Sequence, residues 1–209
     1  IKPILGCDLK IRNPKDAKLP YRMGVICMDH EGYHSLCVLL TKAYLTDSDA
    51  YRGQVDPAWL DEEGAKGLIG LTGGAEGELA SLLIKEADAL VERLKTQFGD
   101  RLYIELQRAG RRNDELATAH SANFAVRHGL PVVATHPIQF LNKEDFEAHE
   151  VRCAIAEGFT LQDPRRVKRY TPEQYMKTEA EMCELFADIP AALENTIEIA
   201  KRCNLDHVL

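Results

Sequence analysis

Apolar runs of strand length alternate with amphipathic stretches of helix length along the first two thirds of the chain, and this alternation constrains the fold more than any other feature. The apolar runs predict strands at residues 4–11, 24–28, 67–72, 102–106 and 131–135. The stretches between them place Leu, Ile, Val and Ala three and four residues apart and predict helices at residues 33–44, 77–98 and 114–128. Several strands are almost wholly apolar, as expected where both faces are covered. The pattern predicts an α/β fold built from βα units around a parallel sheet.

The chain becomes mostly helical after about residue 141. Helices are predicted at residues 144–157, 178–186 and 190–203. Pro172 and Pro190 each stand where a first helical residue is expected, and Thr178 with Glu181 forms a capping-box pattern. Because no internal repeat or flexible linker interrupts the sequence, we predict one continuous domain over residues 1–209.

Length and charge exclude several classes of protein. The 209 residues are enough to bury a core without disulfides or metals. No segment approaches the ~18 uninterrupted apolar residues of a membrane span, so a transmembrane protein is excluded. The 33 acidic and 26 basic residues give a net charge of −7, which argues against autonomous, tight binding to nucleic acid. The sequence opens Ile-Lys-Pro without Met, basic leader or apolar signal segment, and we expect it to begin inside a larger polypeptide.

Six cysteines are scattered along the chain without a Cys-x-x-Cys pair, mostly in apolar contexts. They are Cys7, Cys27, Cys37, Cys153, Cys183 and Cys203. This pattern predicts reduced core thiols in a cytoplasmic protein rather than a disulfide or zinc framework.

A glycine-rich segment, residues 72–77, follows a predicted strand and opens a predicted helix. Its backbone N–H groups would suit a phosphate at the helix N-terminus. The segment lacks the Lys-Ser/Thr of a P-loop and the spacing of a dinucleotide fingerprint, which favours a plain tight turn with positive φ. Likewise, no Gly-x-Ser-x-Gly elbow and no Ser, His and Asp spacing indicate a nucleophilic triad.

Among seven histidines, only His30 and His34 have helix spacing, and their acidic neighbours favour a surface role over metal ligation. His136 is a better candidate because it ends a predicted strand, and ligands gather beyond the carboxyl ends of parallel strands. It precedes Pro137, and no ligand-type residue stands near it in sequence.

Two clusters of basic residues are typical of solvated faces or contacts to a neighbouring domain, with direct contact to nucleic acid as the alternative. The clusters are Arg108, Arg111 and Arg112, and then Arg165, Arg166, Lys168 and Arg169 beside Tyr170.

Seven segments spread over nearly the whole chain carry a more specific signature. They are IKPILGCDL (1–9), GYHSLCVLLTKAYL (32–45), GLIGLTGGAEGE (67–78), YIELQRAGR (103–111), GLPVVATHPIQFL (129–141), DFEAHEVRCAIAEGFTLQDPRR (145–166), and YTPEQYM with EMCELFADIPAALENTIEIAKRCN (170–176, 181–204). The last two do not follow from generic helix patterning. In this order the segments resemble the N-terminal region of the alpha-subunit family of bacterial replicative DNA polymerase III, which is a polymerase and histidinol phosphatase (PHP) domain.

The resemblance implies a distorted (βα)7-type barrel with metal ligands at the carboxyl ends of its strands. Five predicted strands are too few to close such a barrel, so we expect it to be incomplete. An open sheet would leave unpaired edges, which proteins usually cover. We expect residues 1–141 to form the barrel part and residues 142–209 to form a helical extension that leads to the polymerase core. In members with an intact site, two or three metal ions would activate water for phosphoester cleavage.

Matched against the family pattern, only one inspected ligand position keeps a ligand-type residue, and that residue is Asp8. The resemblance places Arg22, Ala109, Pro137 and Gln139 where metal-bearing members have ligands. Pro and Ala cannot coordinate a metal, Gln is a poor ligand, and Arg brings a fixed positive charge. We therefore expect an inactive hydrolase, with Arg22 paired to Asp8 in place of metal.

The leading hypothesis is a non-enzymatic structural and docking domain. The resemblance implies that it packs against the rest of the alpha subunit and serves as a platform for the proofreading epsilon subunit. No cofactor is expected in this segment. Polymerase activity, its Mg²⁺ and its contact with DNA would belong to the full-length subunit, in the cytoplasm and without a membrane.

Two alternatives remain at this point. One is a metal-dependent phosphoesterase or 3′–5′ exonuclease that uses Asp8, His136, His149 and ligands upstream of Ile1 in a rearranged cluster. The other is a contact to DNA through the basic residues between Arg165 and Arg169.

Overall fold

The computed structural model describes residues 2–46, 48–81 and 84–206, and its centre is a five-stranded sheet flanked by helices. The strands are β1 Gly6–Ile11, β2 Tyr21–Cys27, β3 Leu68–Leu71, β4 Leu102–Gln107 and β5 Val132–Thr135. The helices are α1 His30–Tyr44, α2 Ile84–Phe98, α3 Asp114–His128, α4 Phe146–Glu157, α5 Glu179–Leu185 and α6 Pro190–Arg202. Short 3-10 turns occupy Asp49–Tyr51, Pro57–Trp59, Gly74–Glu76, Glu78–Ser81, Gly99–Arg101 and Lys143–Asp145. The predicted α/β class is confirmed.

The strands lie in the sheet in chain order, β1-β2-β3-β4-β5. β3, β4 and β5 are mutually parallel, whereas β2 runs antiparallel to both β1 and β3. The expectation of an all-parallel sheet is therefore wrong for β2, which runs opposite to the other four strands. The reason is the connection: only residues 12–20 join β1 to β2, and a parallel return needs a crossover of a dozen or more residues.

Helix boundaries follow local capping chemistry. α3 has the predicted bounds and ends because Gly129, with a φ of 64°, adopts the left-handed conformation that terminates a helix. The helix predicted at residues 77–98 begins only at Ile84; a 3-10 turn precedes it, and residues 82–83 lie outside the described part of the chain. Among the described helices, none combines the length and apolarity needed to cross a bilayer.

The face of the sheet that we call the outer face packs against helices. α1 and α2 cover its first half through Leu39 and Phe98, which contact strand residues such as Leu68. α3 and α5 cover its second half through Ala125, and Phe186 follows α5 in the same cluster. The apolar positions that alternate along the strands thus form the main core, as the sequence pattern predicts.

The opposite, inner face is covered by α6 over part of its area. Ile199 and Cys203 pack against Ile69, Tyr103 and Val133. Asn195 of α6 also donates its side-chain N–H to the carbonyl oxygen of Val132 at 2.8 Å, which satisfies a backbone acceptor of β5, the last strand of the sheet. The remaining part of the inner face is polar and lies at the carboxyl end of β4.

Residues 171–177, which we call the strap, cross this carboxyl end as a turn at residues 172–173 followed by a non-helical stretch. The helix predicted to start at Pro172 is therefore wrong. The backbone of the strap bonds to other segments instead: Gln139 donates to the Gln174 carbonyl at 2.8 Å, and Met176 donates to the Phe140 carbonyl at 3.1 Å. A short parallel bridge between Phe140 and Tyr175 fixes the register.

Candidate functional site

The carboxyl ends of β1, β3, β4 and β5 meet at one edge of the sheet, where β2 begins. A cavity of about 270 Å³ lies there, and its polar lining includes Asp8, Arg22, Glu105, Thr135 and His136. Residues of the first and the last strand share this lining because the sheet curls around it. Ligands of parallel sheets bind at such an edge, so we take this cavity as the candidate site.

Glu105 is the buried centre of the site. Its side chain is fully enclosed, and it accepts hydrogen bonds from four different groups. These donors are the Gly73 backbone N–H at 3.0 Å, Gln107 at 2.9 Å, the Thr135 hydroxyl at 2.5 Å and the Arg22 guanidinium at 3.3 Å. A buried carboxylate is stable only when it is paired and hydrogen-bonded in this way.

Arg22 joins the buried carboxylate to the exposed one. Its Nη1 lies 3.3 Å from Glu105, and its Nη2 lies 2.8 Å from Oδ1 of Asp8. Burial disfavours the charged guanidinium, but the attraction of Glu105 and Asp8 outweighs it, and the pKa of Arg22 is raised. The predicted Arg22–Asp8 pair is confirmed, and the guanidinium is a permanent cation between two carboxylates.

The glycine-rich segment after β3 takes part in this network as a tight turn. Gly73 has a φ of 83°, and a Cβ atom at this position would clash with the carbonyl oxygen of Arg22. Its backbone N–H donates to Glu105. The backbone N–H of the glycine-rich turn therefore binds the carboxylate of Glu105, and not a phosphate as its sequence pattern would also allow.

The three other positions that the resemblance matches to ligands, Ala109, Pro137 and Gln139, lie under the strap. Ala109 is fully buried, and its carbonyl oxygen accepts the hydroxyl hydrogen of Thr171. The carbonyl oxygen of Pro137 accepts from the Gln174 side chain at 3.0 Å. Together with the bond from Gln139 to the strap, these contacts place the strap across Ala109, Pro137 and Gln139.

His136 lines the cavity but is turned toward the strap. Its Nε2 lies 2.8 Å from the carbonyl oxygen of Glu173 and donates to it. Its Nδ1 is buried and has no hydrogen-bond partner among the described residues. Burial lowers the pKa of His136, so the neutral imidazole is the favoured form.

His149 belongs to a different part of the molecule. It lies on α4, packs edge-on against Tyr170 with ring centroids 4.6 Å apart, and accepts a hydrogen bond from Arg152 at Nδ1. It does not line the cavity that holds Asp8 and His136. Within the described ranges, no three His, Cys, Asp or Glu side chains gather in a geometry suited to a metal ion.

The basic residues between Arg165 and Arg169 are largely neutralised. Arg166 is buried and pairs with Glu150 at 2.6 Å, and Arg165 pairs with Asp163 at 2.7 Å. The nearest carboxylate oxygen to Arg169 lies 3.9 Å away. In the other cluster, Arg108 bonds both Asp188 and the Leu185 carbonyl, so it anchors the segment between α5 and α6.

The remaining candidates lie away from the cavity. His30 and His34 are exposed on α1, as expected for surface residues. All six cysteines are free, but only Cys27 and Cys203 are buried, and Cys37 and Cys183 are exposed. The expectation of core thiols is therefore wrong for Cys37 and Cys183, because they lie on the solvent faces of α1 and α5.

A larger cavity of about 430 Å³ lies between α3 and the 3-10 turn after β3, and it shares Glu105 and Gln107 with the site. Its buried acid, Asp114, already accepts the backbone N–H groups of Ala109 and Arg111. None of the unpartnered buried polar atoms in the described residues lines it. We therefore place the candidate site at the smaller cavity.

Sequence reasoning missed Glu105. The signal was present, because a carboxylate inside an otherwise apolar strand is buried only when other groups satisfy it. In β4 every residue is buried, and Glu105 stands among Leu102, Ile104 and Leu106.

Proteins similar to this chain are alpha subunits of a bacterial polymerase. The chain is 44% identical to the DNA polymerase III subunit alpha of Vibrio cholerae, 43% to that of Escherichia coli K12, and 40% to that of Pseudomonas aeruginosa. These matches cover 98–99% of this chain and 18% of each relative. The chain thus spans less than a fifth of the length of the relatives it matches.

A family model extends the comparison to the domain level. The model described as the PHP domain matches residues 1–109, which is more than half of the chain and includes β1 to β4 with Asp8, Arg22 and Glu105. The chain therefore belongs to the PHP domain family.

Proposed function

We propose that this chain is part of the alpha subunit of a bacterial replicative DNA polymerase III, and that it acts in chromosomal replication as a structural and docking domain without hydrolytic activity. The observation that carries the proposal is the Arg22 guanidinium, which is bonded to both Asp8 and Glu105 at the strand ends. The similarity to alpha subunits over 98% of the chain supports the replicative role.

The residues at this edge do not fit a centre of two or three metal ions. The two carboxylates share a fixed cation, which opposes divalent ions by charge and occupies their oxygen lone pairs. The side chains of Ala109 and Pro137 offer no donor atom, and polynuclear binding depends on ligand number and geometry together. We therefore derive no metal-dependent step.

The proposal also concerns the fold of the domain. We propose that residues 1–141 contribute to a distorted (βα)7 barrel and that residues 142–209 lead to the polymerase core. Support comes from the curled sheet, because its first and last strands, β1 and β5, line one cavity. In this arrangement the ion pair would cross-link strand ends that metal ions join in other members of the family.

The partners in this proposal are the rest of the alpha subunit and the proofreading epsilon subunit. Contact with DNA and the Mg²⁺ of nucleotide transfer would belong to the complete subunit, in the cytoplasm and away from membranes. Without hydrolytic activity, this domain would contribute to the complex through the surfaces that bind its partners.

Metal analysis of the complete subunit tests the proposal. We expect no stoichiometric zinc or manganese attributable to this domain, no phosphoesterase activity, and co-elution with epsilon that a chelator does not change. The physical reason is that the Arg22 bridge supplies a cross-link that chelation cannot remove. Stoichiometric metal with a phosphoesterase activity that is lost on chelation would reject the proposal, and so would loss of epsilon when the chelator is added.

A further inference from the structure

The end of β1 and the connection from β1 to β2 carry the densest group of unpaired cations in the described part of the chain. Lys10, Lys15 and Lys18 are exposed, and their side chains form no ion pair or hydrogen bond with the described residues. The acid in the loop, Asp16, accepts the backbone N–H of Lys18 at 2.9 Å. Elsewhere in the described residues, exposed cations without a partner stand singly, at Lys42, Arg112 and Lys168.

The loop of residues 12–20 is held in one conformation by two buried amide side chains. Asn13 donates to the carbonyl oxygen of Leu19 and accepts the backbone N–H of Lys15, both at 2.9 Å. Gln54 donates to the carbonyl oxygen of Ala17 at 2.8 Å. The lysines therefore project from a fixed frame, which lowers the entropy lost when a ligand binds.

The position of the loop makes this charge unusual. Lys10 lies directly opposite Arg22 in the β1–β2 register, and Asp8 and Glu105 pair with Arg22 and not with Lys10. The chain as a whole carries a charge of −7. In the basic cluster near Arg165, by contrast, Arg165 and Arg166 pair with Asp163 and Glu150, and Lys168 is left as a single unpaired cation. The free positive charge therefore lies at the edge of the sheet that holds the candidate site.

We propose that Lys10 near the end of β1, together with Lys15 and Lys18 of the β1–β2 loop, binds the phosphate backbone of the primer-template duplex. This inference rests on the proposed function. Lys ammonium groups serve as point charges for phosphate, and such contacts position a duplex without reading its sequence. Leu19 is 66% exposed beside them, but lysine is depleted in protein–protein interfaces, which favours nucleic acid over an acidic protein segment.

The test uses the complete subunit and two triple variants with the same change in charge. The loop variant combines Lys10→Gln, Lys15→Gln and Lys18→Gln. The control combines Lys42→Gln, Arg112→Gln and Lys168→Gln. Binding of a fluorescent primer-template duplex is measured by anisotropy between roughly 50 and 200 mM salt, a range over which phosphate contacts change affinity strongly.

We expect the loop variant to bind about tenfold or more weakly at low salt. Its plot of log affinity against log salt should be shallower by about 2–3, because each lost phosphate contact removes roughly 0.9 from the slope. The control should bind like the wild type. Equal affinity and slope for the loop variant and the wild type would overturn the inference, even if an acidic protein proved to bind the loop.

Two further measurements separate the possible failures. Primer extension and duplex binding by the wild-type subunit test the proposed function itself, so their absence would contradict that function rather than the loop. If the triple variant does not fold, Lys15→Gln and Lys18→Gln are measured singly, and each should reduce the slope by roughly 0.9. Single variants with unchanged slopes would also overturn the inference.

Discussion

Glu105 and Arg22 decide the chemistry of the candidate site at the scale of single residues. Replacing Arg22 by Met should lower the free energy of unfolding by about 2–4 kcal/mol, because it leaves a buried carboxylate without its cation. Urea unfolding of the chain measures this change. Arg52→Met is the matched control, since Arg52 pairs with Asp49 on an exposed surface and should change stability by less than about 1 kcal/mol.

If Arg22→Met and Arg52→Met lowered the free energy of unfolding by similar small amounts, the stabilising role of Arg22 would be contradicted. Glu105 would then be held by Gly73, Gln107 and Thr135 without need of the guanidinium. A loss confined to Arg22→Met would show that the charge, and not only the hydrogen bonds, stabilises the strand ends.

The part of the site that was predictable from sequence is the pair of charged residues at two positions that the resemblance matches to ligands. The Arg22–Asp8 pair followed from opposite charges at two such positions, and the structure confirms it. Glu105 did not follow, because the sequence does not show that the Gly73 turn and Thr135 converge on it from other strands. Contacts between distant segments are set by packing, which local patterns do not encode.

At the scale of elements, the start of α5 is a capping box that depends on pH. The Tyr175 hydroxyl and then the Thr178 backbone N–H and hydroxyl donate to Glu181, and these bonds lower its pKa to about 2. Because the folded pKa is below the unfolded one, Glu181 contributes stability above about pH 4.5, and this contribution is lost as the pH falls toward about 2.

Glu181→Gln should therefore lower the thermal midpoint at pH 7, and the difference from the wild type should shrink as the pH falls through this window. Thermal unfolding at pH 7, 4.5 and 2.5 measures the trend. Glu179→Gln changes the same charge in the first turn of α5, where the side chain accepts no hydrogen bond from the described residues. A difference for Glu181→Gln that is constant with pH, or matched by Glu179→Gln, would count against the capping role.

Elements with a local cause were predicted well, and those with a distant cause were not. α3 ends at Gly129 and α5 starts at its capping box, and both signals lie within a few residues of the boundary. Pro172 also resembles a helix start, but Thr171 and Gln174 bond to Ala109 and Pro137 across the molecule. These bonds from side chains of the strap hold it against the strand ends as a turn rather than a helix, and local propensity is overridden.

At the scale of the whole molecule, α6 joins parts of the chain that are distant in sequence. Its Asn195 bonds to β5, and Ile199 packs on β3 and β4. Near its end, the Asn204 backbone N–H donates to Met28 after β2, and Lys2 donates to the Ala200 carbonyl. The last helix therefore holds the open sheet together on its inner face.

Ile199→Ala should consequently lower the free energy of unfolding by about 2–4 kcal/mol, because it removes a side chain that is 5% exposed at the centre of this contact. Ile197→Ala on the same helix is the control: Ile197 is 57% exposed and should change stability by about 0.5 kcal/mol or less. Urea unfolding gives both values, and hydrogen exchange should show loss of protection in β3, β4 and β5 for Ile199→Ala alone. If the two variants unfold alike, or if exchange increases only within α6, the helix would be an appendage rather than the element that closes the sheet.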